Sequence, residues 1–385
     1  MPLSPQQQEA EAAFREFAAI AITPHAEAWD RGGTVPEDFL VRFAAEGYLA
    51  ALVPAGYGGR YTDAVTFGLL NEAVGRACSS VRSLVTVHSM VVQAVARWGA
   101  APLREKWLPA LAAGDRIGAF ALTEPEAGSD ASSVAAVARR TPGGYALTGT
   151  KRWVTFGQRA DVFLVFARCQ DQPAAFLLPR DTPGLTVEPV DGMLGTRASL
   201  VAQLRLDDCH VPADALVGRA GFGISAVATS ALDIGRYSVA WGCVGILRAA
   251  LEISLEHAAS RSQFGSALRE HQLVQRMLAD MSTSLTAARL LCLEAGRLKD
   301  LGDPRTVDAT WSAKYFASCR AAEAAADTVQ ICGAAGCAPG HPAGRLFRDA
   351  KVMEIIEGST QLQQIHLAQA AYHNFAHRQH KKGTR

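Results

Sequence analysis

Apolar residues recur with helical spacing along the first third of the chain, and Ser4-Pro5 supplies a hydroxyl cap followed by proline at the first helical position. A second start is read at Thr34-Val-Pro-Glu37, which has the form of a capping box. The long stretch GLLNEAVGRACSSVRSLVTVHSMVVQAVARWG is rich in small residues and apolar nearly all round, the pattern of helices buried among other helices. From Ala119 the period changes. YALTGTKRWVT, DVFLVFARC, AAFLLPR, GLTVEPV and VAQLRLDDCHVP are short β-branched or alternating runs between Gly, Pro and Asp turns, which predicts an antiparallel sheet. From Ser225 the helical period returns in RYSVAWGCVGILRAALEISLEHAASR and HQLVQRMLADMSTSLTAARLLCLEAGRLKD, as in an antiparallel bundle. The expected fold is α+β: an N-terminal helical domain over 1–118, a middle antiparallel β domain over 119–224 and a C-terminal helical bundle over 225–385.

Composition narrows this picture without replacing it. A chain of 385 residues suits two or three domains, and a net charge of +1 offers no basic field to a nucleic acid partner. No run of about 18 apolar residues stands out and the N-terminus lacks the form of a targeting segment, so a cytoplasmic protein without a membrane anchor is expected. The basic tail HRQHKKGTR is read as a solvated, frayed end. Eight scattered cysteines without a C-x-x-C pair indicate neither disulfides nor a metal site.

Candidate chemistry lies in a few stretches. The glycines at 56–59 and 333–340 fail the G-x-G-x-x-G spacing, which disfavours a Rossmann-type dinucleotide site. AFALTEPEAGSD, Ala119 to Asp130, carries a hydroxyl at each end of a tight Pro/Gly turn and reads either as an ordinary loop or as a cradle for an anion or a heterocycle edge. In LTGTKRWVTFG, Trp153 and Thr155 are two apart, so on a strand they share a face where an indole could cover a flat ring; a core Trp is the alternative. In KVMEIIEGSTQLQQI, Glu357 is either the exposed end of a helix closed by Gly358 or a dry carboxylate put to use.

The motifs ALTEPEAGSD, LTGTKRWVTFG, RSQFG with HQLVQRMLADM, QICGAAG, RLFRDAK and EIIEGSTQLQ, in this order and separation, resemble the acyl-CoA dehydrogenase family of flavoproteins over essentially the whole chain. The resemblance implies an N-terminal helical domain, a middle β domain and a C-terminal four-helix bundle. It implies FAD as cofactor, with Phe120, Leu122 and Thr123 against the flavin, Ser129 at flavin phosphate or thioester ligand, and Trp153 and Thr155 flanking from the second strand. It further implies a homodimer or homotetramer in which Arg261, Phe264, Gln272, Gln330 and Gly333 complete the cofactor site of a neighbour, with Ser359 and Gln361 closing over the adenosine side. Gly333-Ala334-Ala335-Gly336 departs from the family's Gly-Gly-Asn-Gly, which makes the closest backbone approach to the ligand less assured.

The reaction implied is removal of a proton next to a thioester carbonyl with hydride loss from the next carbon to FAD, on an acyl-CoA or an acyl-carrier-protein thioester. Electrons would leave to an electron-transfer flavoprotein or to oxygen. Glu357 is the implied base, with Gly358 allowing a tight turn beside substrate. The alternative base position of some branches is here Gly235. Arg236 either organises the pocket or pairs with Asp233. In SSVRSLVTVHSMV, Arg82 either holds a polar acyl tail or makes an interhelix ion pair, and His88 is a second candidate for a hydroxylated acyl chain. Ile356 stands where glutaryl-type members have tyrosine, which argues against decarboxylation. The alternatives kept open are an enzyme acting on carrier-protein-tethered groups in polyketide extender-unit formation and an oxygen-using flavoprotein of the same fold.

Overall fold

The computed structural model describes residues 2–383 apart from Tyr61. Six helices come first: α1 Pro5–Ala21, α2 Ala26–Gly32, α3 Glu37–Ala45, α4 Ala64–Ala77, α5 Ser79–Trp98 and α6 Ala101–Ala113. The Ser4 capping box forms, with the Gln7 N–H donating to Ser4 Oγ at 3.2 Å and the Ser4 N–H donating to Gln7 Oε1 at 3.0 Å. The second expected box does not. Helix α3 starts at Glu37 with Pro36 as its cap: proline sits there in an extended conformation with φ −62° and ψ 149° and has no side-chain acceptor to offer, and the first turn is bonded instead by Asp38 Oδ1, which accepts the Phe39 N–H at 2.9 Å.

Strands β1 Gly118–Ala121, β2 Val137–Thr141, β3 Gly144–Val154, β4 Val162–Cys169, β5 Gln172–Pro179, β6 Leu185–Pro189, β7 Ala202–Pro212 and β8 Leu216–Val217 form one eight-stranded sheet. Its order is β6-β7-β3-β2-β4-β5-β8, with β1 also on β4. Most pairs are antiparallel as expected, but β1 and β2 both run parallel to β4. Alternate residues of β4 feed two apolar clusters: Leu164 and Phe166 pack with Val91, Val95 and Leu108 of the N-terminal helices, while Phe163 and Val165 join the main core. A strand buried on both faces reads as a continuous apolar run, as DVFLVFARC does.

The third part holds α7 Thr229–Ser260, a two-residue hairpin pair β9 Ser262–Gln263 and β10 Ser266–Ala267, α8 Gln272–Asp300, α9 Thr306–Cys332, α10 Pro342–Met353 and α11 Thr360–Gly383. On length and composition Gly223–Ser260 could cross a bilayer, but it is a buried core helix packed by α4, α5 and α9. Glycine permits the tightest of these contacts. A Cβ on Gly75 of α4 would stand 2.7 Å from the Cα of Gly242 on α7, so the two backbones approach as closely as they do only without side chains.

Helix α10 is tied to both other parts. Its Asp349 Oδ1 accepts the Thr196 N–H from the loop before β7 at 2.6 Å, Arg345 Nε donates to Glu27 of α2 at 2.5 Å, and Arg348 pairs with Asp30. The tail expected to fray continues as helix to Gly383 in its backbone; the side chains of 377–385 lie outside the described residues.

Candidate active site

The chain leaves α10 at Met353, four residues before Glu357, so Glu357 does not end a helix. It occupies a turn closed by the Thr360 N–H donating to Glu354 O at 3.0 Å. Glu357 has φ +57° and Gly358 φ +93°, two successive left-handed residues. A non-glycine there is strained by about 1–2 kcal/mol and persists because its surroundings hold it. Three side chains do so. Arg236 Nε on α7 donates to Glu357 O at 3.1 Å, while Lys314 Nζ on α9 and Gln363 Nε2 on α11 donate to Gly358 O at 2.9 and 2.6 Å.

The Glu357 residue is only partly covered as a whole, yet its carboxylate Oε2 is fully enclosed and has no hydrogen-bond partner. Gly235 explains the fit. A Cβ at that position would lie 2.2 Å from Glu357 Oε2 and 3.0 Å from Met90 Sδ. The position that would carry an alternative base is thus the space into which the Glu357 carboxylate projects. Burial pushes the Glu357 carboxyl pKa up, against the pull of Arg236, Lys314 and Arg82. The cations nearest it bond backbone carbonyls and leave the carboxylate unpaired.

Arg236 does not pair with Asp233, whose carboxylate pairs with Lys299 instead. Its guanidinium lies 4.2 Å from the centroid of Trp311. Arg82 makes no ion pair either. It is 1% exposed on α5, donates to Thr86 Oγ1 at 2.8 Å and Ser83 Oγ at 3.2 Å, and meets Met353 Sδ at 3.1 Å. Among the described residues no carboxylate stands within ion-pair distance of Arg82, and burial pulls its pKa down. His88 corrects the expectation of a substrate contact. Its ring is fully buried, with Nε2 bonded to Leu111 O at 3.2 Å and Nδ1 accepting the Gly118 N–H at 3.3 Å. Both nitrogens are occupied by backbone, and burial lowers its pKa to about 4, so it stays neutral.

Phe120 lies half-buried on β1 with its ring 5.1 Å from that of Phe166, and Leu122 is buried just beyond. Thr123 O accepts the Arg152 N–H at 2.8 Å, joining the loop to β3. A buried pair missing from the expected site residues fixes that loop. Lys151 Nζ donates to Glu124 Oε1 at 2.6 Å and Leu122 O at 3.2 Å, and Glu124 also accepts the N–H groups of Ala135 and Ala136. Ser129 is left exposed on it. Trp153 does not continue a regular strand. It sits in an irregularity between Lys151 and Val154 with φ +59°, which turns its indole outward to 46% exposure. Thr155 follows beyond the end of β3, half-buried, with buried Val154 between them. The Arg152 guanidinium lies 4.6 Å from the centroid of the indole, and the exposed remainder of the ring beside a polar loop is a surface suited to a flat heterocycle such as the expected flavin.

Arg261, Phe264, Gln272, Gln330 and Gly333 are not brought to the Glu357 turn. Arg236 lies in the second turn of α7 and Arg261 caps its far end, roughly 35–40 Å away at 1.5 Å per residue. All five are exposed, and Phe264 is 98% exposed with φ +51° at the tip of the β9–β10 hairpin. Ser359 adjoins the turn half-buried, and Gln361 faces solvent while Gln363 is the glutamine turned inward.

Lys314 and Gln363 were not among the expected site residues. Lys314 shares its face of α9 with buried Thr310, Ala313, Ala317 and Ser318, a small-residue stripe that could have marked it as inward-facing.

The acyl-CoA dehydrogenase N-terminal, middle and C-terminal domain models match residues 4–115, 119–209 and 221–372. The short-chain specific mitochondrial acyl-CoA dehydrogenase of Mus musculus is 35% identical over 360 residues, covering 92% of this chain and 87% of that one. A solved structure described as FkbI for biosynthesis of the methoxymalonyl extender unit of the polyketide Fk520 is 38% identical, with a TM-score of 0.86 over 94% of this chain and 99% of its own. A glutaryl-CoA dehydrogenase from Mycobacterium smegmatis in complex with FADH2 is 31% identical, with a TM-score of 0.91 over 96% and 95%. With three consecutive domain models matched in order and relatives similar along nearly their full lengths, the chain belongs to the acyl-CoA dehydrogenase family.

Proposed function

We propose that Glu357 takes the α-proton of a short acyl thioester in the CH–CH dehydrogenation that characterises this FAD-dependent family. The observation that carries this assignment is the Glu357 carboxylate oxygen, buried without a partner against Gly235. A dry carboxylate with a raised proton affinity is a stronger base than one in water, provided the pH keeps it ionised. Arg236 at the Glu357 carbonyl fixes the turn, so the backbone N–H groups there keep a set direction toward a carbonyl oxygen that gains charge. When bound, FAD would supply the acceptor for the β-hydrogen as hydride. Phe120, Leu122, Thr123, Ser129, Trp153 and Thr155 would hold its ring end. Arg261 at the far end of α7, Phe264 in the hairpin that follows, Gln272 at the start of α8, and Gln330 and Gly333 at the end of α9 are remote from the Glu357 turn, so they would complete the site of a second subunit in a homodimer or homotetramer, with Ser359 and Gln361 at the adenosine side. Glu357→Gln should retain the yellow flavin but lose anaerobic bleaching by substrate about a thousandfold or more. Bleaching at the native rate would sink the assignment.

The acyl group is proposed to be short and to carry an oxygenated, preferably anionic, end. The buried Arg82 guanidinium bonds only hydroxyls and a thioether, with the Glu357 and Asp349 carboxylates acting on it from beyond ion-pair distance, and a carboxylate or hydroxyl on the acyl chain would supply a direct partner. The relative associated with a methoxymalonyl extender unit favours a carrier-protein thioester as the second reading beside free CoA. Cytoplasmic location and electron transfer to a flavoprotein or to oxygen complete the proposal. Bleaching screened with plain, hydroxylated and dicarboxylic short thioesters, each on CoA and on carrier protein, should favour the oxygenated acyl groups and lose that preference in Arg82→Met. A preference for unsubstituted butyryl thioester in both proteins would overturn the role of Arg82.

A further inference from the structure

Three buried or partly buried cations stand around Glu357, and Lys314 is the one whose partner is least explained by hydrogen bonding alone. Its ammonium is fully buried and reaches only Gly358 O, at 2.9 Å. That carbonyl already accepts from the Gln363 amide at 2.6 Å. Among the described residues no carboxylate lies within ion-pair distance of Lys314. A neutral donor would therefore have met the needs of the carbonyl, and burying a full charge there is unfavourable unless the charge acts on something. The carboxylate whose charge acts on Lys314 is that of Glu357, one residue before the carbonyl that Lys314 holds, and its Oε2 has no hydrogen-bond partner.

We propose that Lys314 is a positioning residue for proton abstraction: by donating to Gly358 O it holds the left-handed Glu357–Gly358 turn, and its charge keeps the enclosed Glu357 carboxylate ionised. The proposal rests on the assignment of Glu357 as the base. In the step served, the Glu357 carboxylate forms an O–H bond as the substrate Cα–H bond breaks, and the electron pair moves onto the thioester as an enolate. Lys314 gives up no proton in that step.

The charged and titratable groups facing Lys314 are Arg236 and Cys243 of α7, Cys319 of its own helix and Glu357; Arg82 of α5 faces Glu357 from the other side. Burial is the dominant influence and brings the Lys314 pKa down to about 8. Its charge is therefore present at neutral pH and is lost as pH rises through about 8. Removing that charge leaves Glu357 with a still higher proton affinity, so its ionisation moves to higher pH.

The test uses the holoenzyme and an acetyl thioester, on CoA and on carrier protein, in deuterium oxide. Acetyl groups have α-hydrogens but no β-carbon, so exchange reads proton abstraction without oxidation. The rate of deuterium entry is followed by mass spectrometry against pH, alongside flavin content and thermal midpoint. Lys314→Met should slow exchange about 10- to 100-fold at pH 7 and move the acid limb of the profile upward. Lys314→Arg should restore most of the rate and shift the native alkaline limb from near pH 8 to well above it. Native rate and acid limb in Lys314→Met overturn the proposal, as does a Lys314→Arg protein as slow as Lys314→Met. If the Met variant does not fold, the Arg variant decides alone, and an unmoved alkaline limb overturns the proposal. Glu357→Gln separates the two assignments. Native exchange there removes the base and Lys314 together, whereas loss of exchange there with a native Lys314→Met removes only Lys314.

Discussion

Glu357 and Trp153 are both non-glycine residues held at left-handed φ, +57° and +59°, in surroundings of opposite kind. The Glu357 turn is gripped at two consecutive carbonyls by Arg236, Lys314 and Gln363, with the carboxylate pressed into the space at Gly235. The Trp153 irregularity is 46% exposed, and its indole is met by the neighbouring Arg152 guanidinium at 4.6 Å. One strained residue is finished within the chain and the other is left open. The difference teaches that the chain encloses the Glu357 carboxylate with its own side chains, while the Trp153 indole is left at the surface.

The comparison can be broken most forcefully at Gly235. Gly235→Ala puts a methyl 2.2 Å from Glu357 Oε2, so the carboxylate must swing away; anaerobic flavin bleaching should fall about 100-fold while flavin content stays native. Native bleaching would mean that the fit between Gly235 and Glu357 is incidental. A smaller effect is expected on the open side. Trp153→Ala should weaken FAD retention about tenfold, the scale of one aromatic stacking contact, and leave the bleaching rate of the flavin-loaded fraction nearly unchanged. Equal retention through dialysis would remove Trp153 as a platform. The smallest effect concerns stability. The folded-state pKa of Glu357 is raised, so folding favours its protonated form and the ionised carboxylate destabilises the fold as pH rises through that pKa. Glu357→Gln should therefore stabilise the protein by about 1 kcal/mol at pH 8 and by nothing measurable at pH 4, read from thermal midpoints.

The helix–sheet–helix order was legible because the apolar period changes near Ala119 and changes back near Ser225, and the Ser4 cap because its hydrogen bonds are local. The parallel pairing of β1 and β2 with β4 was not, since strand partners are chosen by contacts remote in sequence that alternation does not encode. Glu357 stood out in the sequence as a carboxylate between Ile356 and Gly358, but its reading as a base and the interest of Gly235 came only through a resemblance; their contact is tertiary and no spacing announces it. His88 misled for the same reason in reverse. A histidine bonded to two backbone groups and one facing a substrate look identical as letters, and only the neighbouring α6 and β1 distinguish them. Arg82 and Lys314 share a lesson. Each is a cation on an otherwise buried helical face, and the sequence shows the burial but not the missing counter-ion.

Helix α10 gives the molecule a keystone. It is wedged at one side by Glu27 and Asp30 near the start of the chain and at another by the Thr196 N–H, and its end sets where the Glu357 turn begins. The aim of one carboxylate is thus registered against all three parts of the protein at once. Wear at any of these distant joints, in regions with no chemistry of their own, would be felt as a loss of alignment at the centre.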